Sequence, residues 1–144
     1  MAKKAIKCSK LFDSTTGTVR EHVVIFTDGD RIEAVVPAAE ARLEGCEVID
    51  LTGKFVTPGL CDCHMHLASN GEGSSMGTAP YQTSGEATLH AVNNVKSDLM
   101  AGFTSVRSCG DNGFLDVAIR NAVNRGEIPG PRLMVSGCAI SSTG

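Results

Sequence analysis

Past Thr52-Gly53 the chain changes its pattern, and that change limits the folds open to it more than any other feature. Apolar β-forming runs begin to alternate with helical ones: FVTPGLCDCHMH over 55–66, a helix, FTSVRS over 103–108, a second helix, then RLMVSG over 132–137. Such alternation is what a parallel sheet requires, because each parallel strand is reached by a crossover that a helix supplies. The first helix is framed by Thr83 and Glu86 at capping-box spacing, carries Val92, Val95 and Leu99 on one stripe, and stops at Gly102. The second begins near Asp111 or Asn112, sets Leu115, Ile119, Ala122 and Val123 at helical spacing, and ends at Gly126 before Pro129-Gly130-Pro131.

Ahead of this α/β part, residues 1–55 predict a β-rich segment. KAIKC, REHVVIFT, RIEAVV and EVIDL read as short strands, with a hairpin turn at Asp28-Gly29-Asp30. The expected organisation is therefore two parts, 1–55 and 56–144, the first too small to stand convincingly alone. Between the first strand of the α/β part and its helix lies a Gly- and Ser-rich stretch, 69–85, with Gly71, Gly73 and Gly77, which reads either as disordered or, from its place directly after the histidines, as a mobile lid near a site.

Composition removes several classes of function. With 42% hydrophobic and 20% charged residues, the 144-residue chain is expected to be globular. Its net charge of −3, with no basic cluster beyond Lys3-Lys4, offers nothing to nucleic acid or an anionic membrane. No apolar run approaches the roughly 18 residues of a membrane span, and the basic start has no apolar segment behind it, so a cytoplasmic protein is expected. Cys8, Cys46, Cys61, Cys63, Cys109 and Cys138 are irregularly spaced without a secretory signal and read as reduced thiols.

The chemistry concentrates in Leu60-Cys61-Asp62-Cys63-His64-Met65-His66-Leu67. Strict strand alternation predicts Asp62, His64 and His66 on one face, and Cys61, Cys63 and Met65 on the other, under a covering helix. A structural zinc set of Cys61, Cys63, His64 and His66 would need a looped backbone and lacks the usual ligand spacing. Two histidines at i and i+2 suit an open catalytic metal whose other ligands come from neighbouring strands, and they also suit two ordinary histidines at a strand end. His22, in a hairpin, and His90, on a helix, read as ordinary histidines.

Val56 to His66 resembles the P-G-x-x-D-x-H-x-H signature of the amidohydrolase superfamily, and Val48 to Lys54 resembles the β segment ahead of it. Gly102 to Arg107, Ile128 to Leu133, Ser136-Gly137 and Ile140 to Gly144 look like the second and third strands of its imidazolonepropionase-like and prolidase-like branch. The resemblance implies an incomplete (β/α)8 TIM-type barrel of three strands and two helices, preceded by a small β-sandwich segment. It implies His64 and His66 as the first two metal ligands, with zinc as the metal and one or two divalent ions in the complete enzyme. It makes Asp62 the carboxylate that orients them. Arg107 becomes a candidate for a substrate carboxylate or a plain salt bridge, and Ser141 to Gly144 would sit at the mouth of the third strand.

The reaction implied is hydrolysis of a C–N bond in a small-molecule substrate (a cyclic amide, a peptide-like amide or a deaminated ring) through a metal-activated water. A whole barrel takes about 250 residues. The bridging lysine, two later histidines and the aspartate base of the superfamily have no counterpart in this chain, so no catalytic base is assigned. The chain is then expected to be inactive alone: a fragment, or one subunit of a split hydrolase completed by a second chain or a homo-oligomer. The rival from another class is a non-catalytic metal-binding or interaction module.

Overall fold

The computed structural model describes residues 3–69, 71, 82–138, 140 and 142. The chain divides into two compact units between Pro58 and Gly59.

The first unit is a four-stranded sheet in the order β3-β2-β1-β4, built from β1 (Lys4–Asp13), β2 (Thr18–Asp28), β3 (Arg31–Pro37) and β4 (Glu47–Val56). β1 pairs antiparallel with β2 and parallel with β4, and β2 pairs antiparallel with β3. The predicted Asp28-Gly29-Asp30 turn joins β2 to β3. A second turn, missed in the sequence, follows Asp13, whose Oδ1 accepts the Thr15 backbone N–H and hydroxyl and so lets β1 run on to residue 13. Cys8, Leu11, Val23 and Ile25 form the buried centre, with Ile6, Val35, Leu51 and Val56 packed around them. Beside them the sheet carries an open apolar concavity of about 650 Å³ lined by Ile6, Leu11, Ile25, Ile32, Val35 and Val56, among others.

FVTPGLCDCHMH is not one strand. Phe55 and Val56 pair with Lys10 and Leu11 of β1, the ladder stops at Thr57, and β5 (Leu60–Met65) begins the other sheet. Pro58 has no N–H to continue a ladder. A Cβ on Gly59 would collide with the Thr104 side chain, so glycine lets the two backbones approach before Leu60 donates its N–H to the Gly102 carbonyl at 2.8 Å.

The second unit is the predicted α/β part. β5, α1 (Ser84–Met100), β6 (Phe103–Ser108), α2 (Leu115–Asn124) and β7 (Arg132–Met134) follow in order, and the sheet β5-β6-β7 is parallel throughout. α1 starts on the expected capping box: Thr83 Oγ accepts the Glu86 N–H and the Glu86 carboxylate accepts the Thr83 N–H. α2 starts later than predicted, because a 3-10 turn at Asn112–Phe114 and a left-handed Phe114 (φ 57°) precede it. Leu67, Ala91, Val95, Val106, Leu115, Ile119 and Leu133 form one core between helices and sheet.

The sheet's two faces correct the expected alternation. Asp62 pairs with Val106, which pairs with Leu133, so all three lie on the core side. Met65 also packs against that core. Cys61 pairs with Ser105, which pairs with Arg132, on the opposite, open face, and Cys61 and Cys63 are exposed there rather than lying under a helix.

Asp98 of α1 reports on the same side. Its Oδ2 is buried without a hydrogen-bond partner among the described residues, and burial, helped by the Asp62 charge, pushes its carboxyl pKa up. A carboxyl whose pKa rises on folding weakens the fold where it is charged, above its folded pKa, and ceases to do so below its unfolded value of about 3.9. Asp98→Asn should therefore raise the thermal midpoint at pH 7, with the advantage shrinking as pH falls through the carboxylate range. Melting curves across pH check this, and a loss of stability at pH 7 would contradict it.

Candidate metal centre

Between Asp62, opposite Val106, and Met65, opposite Ser108, the register slips by one, so Cys63 and His64 together face the single residue Arg107. This is a β-bulge, which leaves one peptide group outside the ladder. The Cys63–His64 peptide is satisfied by side chains at both ends: Asp62 Oδ1 accepts the His64 N–H at 2.9 Å, and Arg107 Nε–H donates to the Cys63 carbonyl at 2.6 Å. The extra residue turns His64 onto the open face that Cys61 and Cys63 already occupy, while Met65 returns to the core.

His66 follows β5 and is held from the end of β6. Its Nδ1 lies 2.7 Å from the Gly110 carbonyl oxygen. A carbonyl only accepts, so Nδ1 carries the proton and the Nε2 lone pair is left for a metal. Gly110 has φ 116°, a conformation that a side chain would oppose, and this aims its carbonyl at the ring. The next residue, Asp111, is 9% exposed, and its two carboxylate oxygens accept three hydrogen bonds. These come from Leu67 N–H (3.0 Å), Ala68 N–H (3.2 Å) and the Ser108 hydroxyl (2.9 Å). Asn94 of α1 adds its Nδ2 to the Leu67 and Ser69 carbonyls.

The two imidazoles end as neighbours on the open face, centroids 5.6 Å apart and planes at 71°. Two adjacent neutral imidazoles can provide two nitrogen ligands to a divalent ion. Among the described residues no group of three or more His, Cys, Asp or Glu gathers that could hold one, so the looped four-ligand arrangement of Cys61, Cys63, His64 and His66 does not form despite the bulge. Cys61 and Cys63 instead meet each other, Sγ to Sγ at 3.8 Å, and that hydrogen bond chiefly holds the Cys61 thiol pKa up.

The structure thus brings His64, His66, Asp62 and Arg107 together. Asp62 and Arg107 both meet the backbone of the bulge. His22 belongs to β2 of the first unit and has a left-handed backbone (φ 49°), and His90 is exposed on α1. Residues 70 and 72–81 of the expected lid, and Ser141, Thr143 and Gly144, lie outside the described residues. Sequence reasoning missed Ser108, Gly110, Asp111, Asn94 and Asp116. Asp116 is fully buried, accepting the Gly137 N–H at 2.9 Å, while Gly137 O accepts the Asp111 N–H. The available signal was Ser108-Cys109-Gly110-Asp111 itself, a polar run directly after an apolar strand.

The geometry at hand is a set of parallel strands joined by helices, with two neighbouring histidines at the end of the first, and comparison with known proteins adds a family likeness to it. Residues 47–109 match the profile of the amidohydrolase family. The chain is 31% identical over 130 residues to a dihydroorotase of Pelotomaculum thermopropionicum, covering 86% of this chain and 30% of that one. It is 48% identical over 58 residues to an imidazolonepropionase of Chromobacterium violaceum, covering 38% of this chain and 14% of that one. It superposes on a Xaa-Pro dipeptidase crystallised with methionine in its active site, at TM-score 0.84 and 28% identity, over 96% of this chain and 34% of the other. The chain is thus similar to amidohydrolases and corresponds to the N-terminal portion of these relatives, spanning about a third or less of their length.

The open-face placement of the cysteines predicts their reactivity. Alkylation of the native chain followed by peptide mass analysis should modify Cys61 and Cys63, which are exposed, while sparing Cys8, which is buried. Protection of Cys61 and Cys63 to the level of Cys8 would place them under the helices instead.

Proposed function

We infer that the chain is the N-terminal part of a metal-dependent amidohydrolase that hydrolyses a C–N bond of a small molecule: a cyclic amide, a peptide-like amide or a ring that is deaminated. On this reading β5 to β7 are the first three strands of a (β/α)8 barrel, and residues 1–55 belong to its flanking β-sandwich. The observation that carries it is the histidine pair at the C-terminal end of a parallel strand, where a barrel enzyme builds its site. The relatives' names, dihydroorotase, imidazolonepropionase and Xaa-Pro dipeptidase, support the class of bond. β5 and β7, at the two edges of the parallel sheet, support a barrel that continues elsewhere, in the remainder of a longer chain or a second polypeptide. The apolar concavity on the four-stranded sheet supports a sandwich whose covering layer is likewise elsewhere. Six unpaired cysteines support a cytoplasmic protein.

The donor set fits half a site. His66 offers Nε2 because its Nδ1–H donates to the Gly110 carbonyl, and His64 stands beside it. A zinc ion there would supply Lewis acidity toward a substrate carbonyl and toward water. The chain's own residues present the two imidazoles in fixed register. Asp62 and Arg107 hold the peptide of His64, and on this reading the N–H groups of Arg107 not spent on the Cys63 carbonyl would take a substrate carboxylate. Proton transfer from water needs a base from outside this segment.

Equilibrium dialysis against Zn²⁺ tests the reading. The chain should retain zinc, and His64→Ala or His66→Ala should each weaken retention by at least about tenfold. Joined to the rest of its barrel it should hydrolyse amides and lose activity to a chelator. Equal zinc retention by the chain and both variants would sink the proposal and favour a non-catalytic interaction module.

A further inference from the structure

One two-residue segment, Gly110-Asp111, 44 positions away, holds both the ring of His66 and the backbone that follows it. His66 lies beyond the last paired residue of β5, so the ladder does not fix it. Gly110 fixes the ring through Nδ1, and Asp111 fixes the chain immediately afterwards through the N–H groups of Leu67 and Ala68. Asp111 is itself anchored, by the Ser108 hydroxyl on its Oδ2 and by its own N–H on the Gly137 carbonyl, so it ties the ends of β5 and β6 to the segment after β7.

We propose that Asp111 is the positioning residue of the metal centre: it acts through Gly110 and the Leu67-Ala68 backbone to hold His66 in the tautomer and orientation that expose Nε2. This rests on the reading of His64 and His66 as metal ligands. The chemistry requires a carboxylate. Both oxygens face donors, and an amide of the same shape would turn its NH2 toward one of those N–H groups and leave that pair unbonded. The effect reaches His66 and spares His64, whose peptide is held by Asp62 and Arg107.

The test is a long-range ¹H–¹⁵N correlation of the histidine rings at about pH 8, where free imidazoles are neutral, with Zn²⁺ titration of the same samples. In the wild-type chain His66 should be the Nδ1–H tautomer, and this arm needs no variant to fold. In Asp111→Asn, His66 should become a mixture of tautomers while His64 keeps its wild-type tautomer, and zinc affinity should fall by about 10- to 100-fold. A wild-type His66 protonated on Nε2 would overturn the proposal. So would a folded Asp111→Asn that keeps the wild-type tautomer with zinc affinity unchanged. If His64→Ala and His66→Ala hold zinc as tightly as the wild-type chain, the metal reading fails, while the tautomer measurement still decides what Asp111 does.

Discussion

The Cys63–His64 peptide is where the sheet and the site depend on each other. A parallel strand with uniform pairing to β6 would keep Met65 opposite Cys109. With one residue inserted, Met65 faces Ser108 and rejoins the core, and His64 and His66 flank it on the open side. The insertion removes a C=O and an N–H from the ladder. Asp62 and Arg107 supply the two missing bonds, so the bulge keeps its hydrogen bonding complete. Candidate site and fold thereby share residues: the groups that stabilise the irregular strand are those that hold the backbone of His64.

A second set of buried polar contacts does the same for the strand ends. Asp111 joins β5 to β6, its backbone reaches Gly137 past β7, and Asp116 of α2 accepts the Gly137 N–H in return. These carboxylates accept hydrogen bonds from backbone N–H groups at the C-terminal ends of parallel strands, where loops leave donors without sheet partners. The loop carrying His66 is pinned from β6 and from Asn94 of α1, so the second imidazole rests on the assembled unit rather than on its own strand.

Much of this was legible in the sequence because it rests on local chemistry. The Thr83–Glu86 capping box, the Asp28-Gly29-Asp30 turn and the alternation of strand with helix involve residues a few positions apart, and each appears as expected. The facing of β5 was misread because a bulge leaves no mark on a polar run. In Cys61-Asp62-Cys63-His64 every residue is tolerated on either face, so only the partner strand shows where the pleat slips. The break at Pro58-Gly59 was available in the residue types but outweighed by the apolar residues around it. Asp111 and Asp116 could not be assigned, since their partners stand 43–44 and 21 positions away and meet only after the sheet has formed.

The bulge is measured most directly by backbone NOEs across β5 and β6 in the isotopically labelled chain. The structure predicts contacts between Asp62 and Val106 and between Met65 and Ser108, with the Cys109 amide proton bonded to Met65. Uniform pairing that places Met65 opposite Cys109 would contradict it, and with it the account of how His64 and His66 come to share the open face.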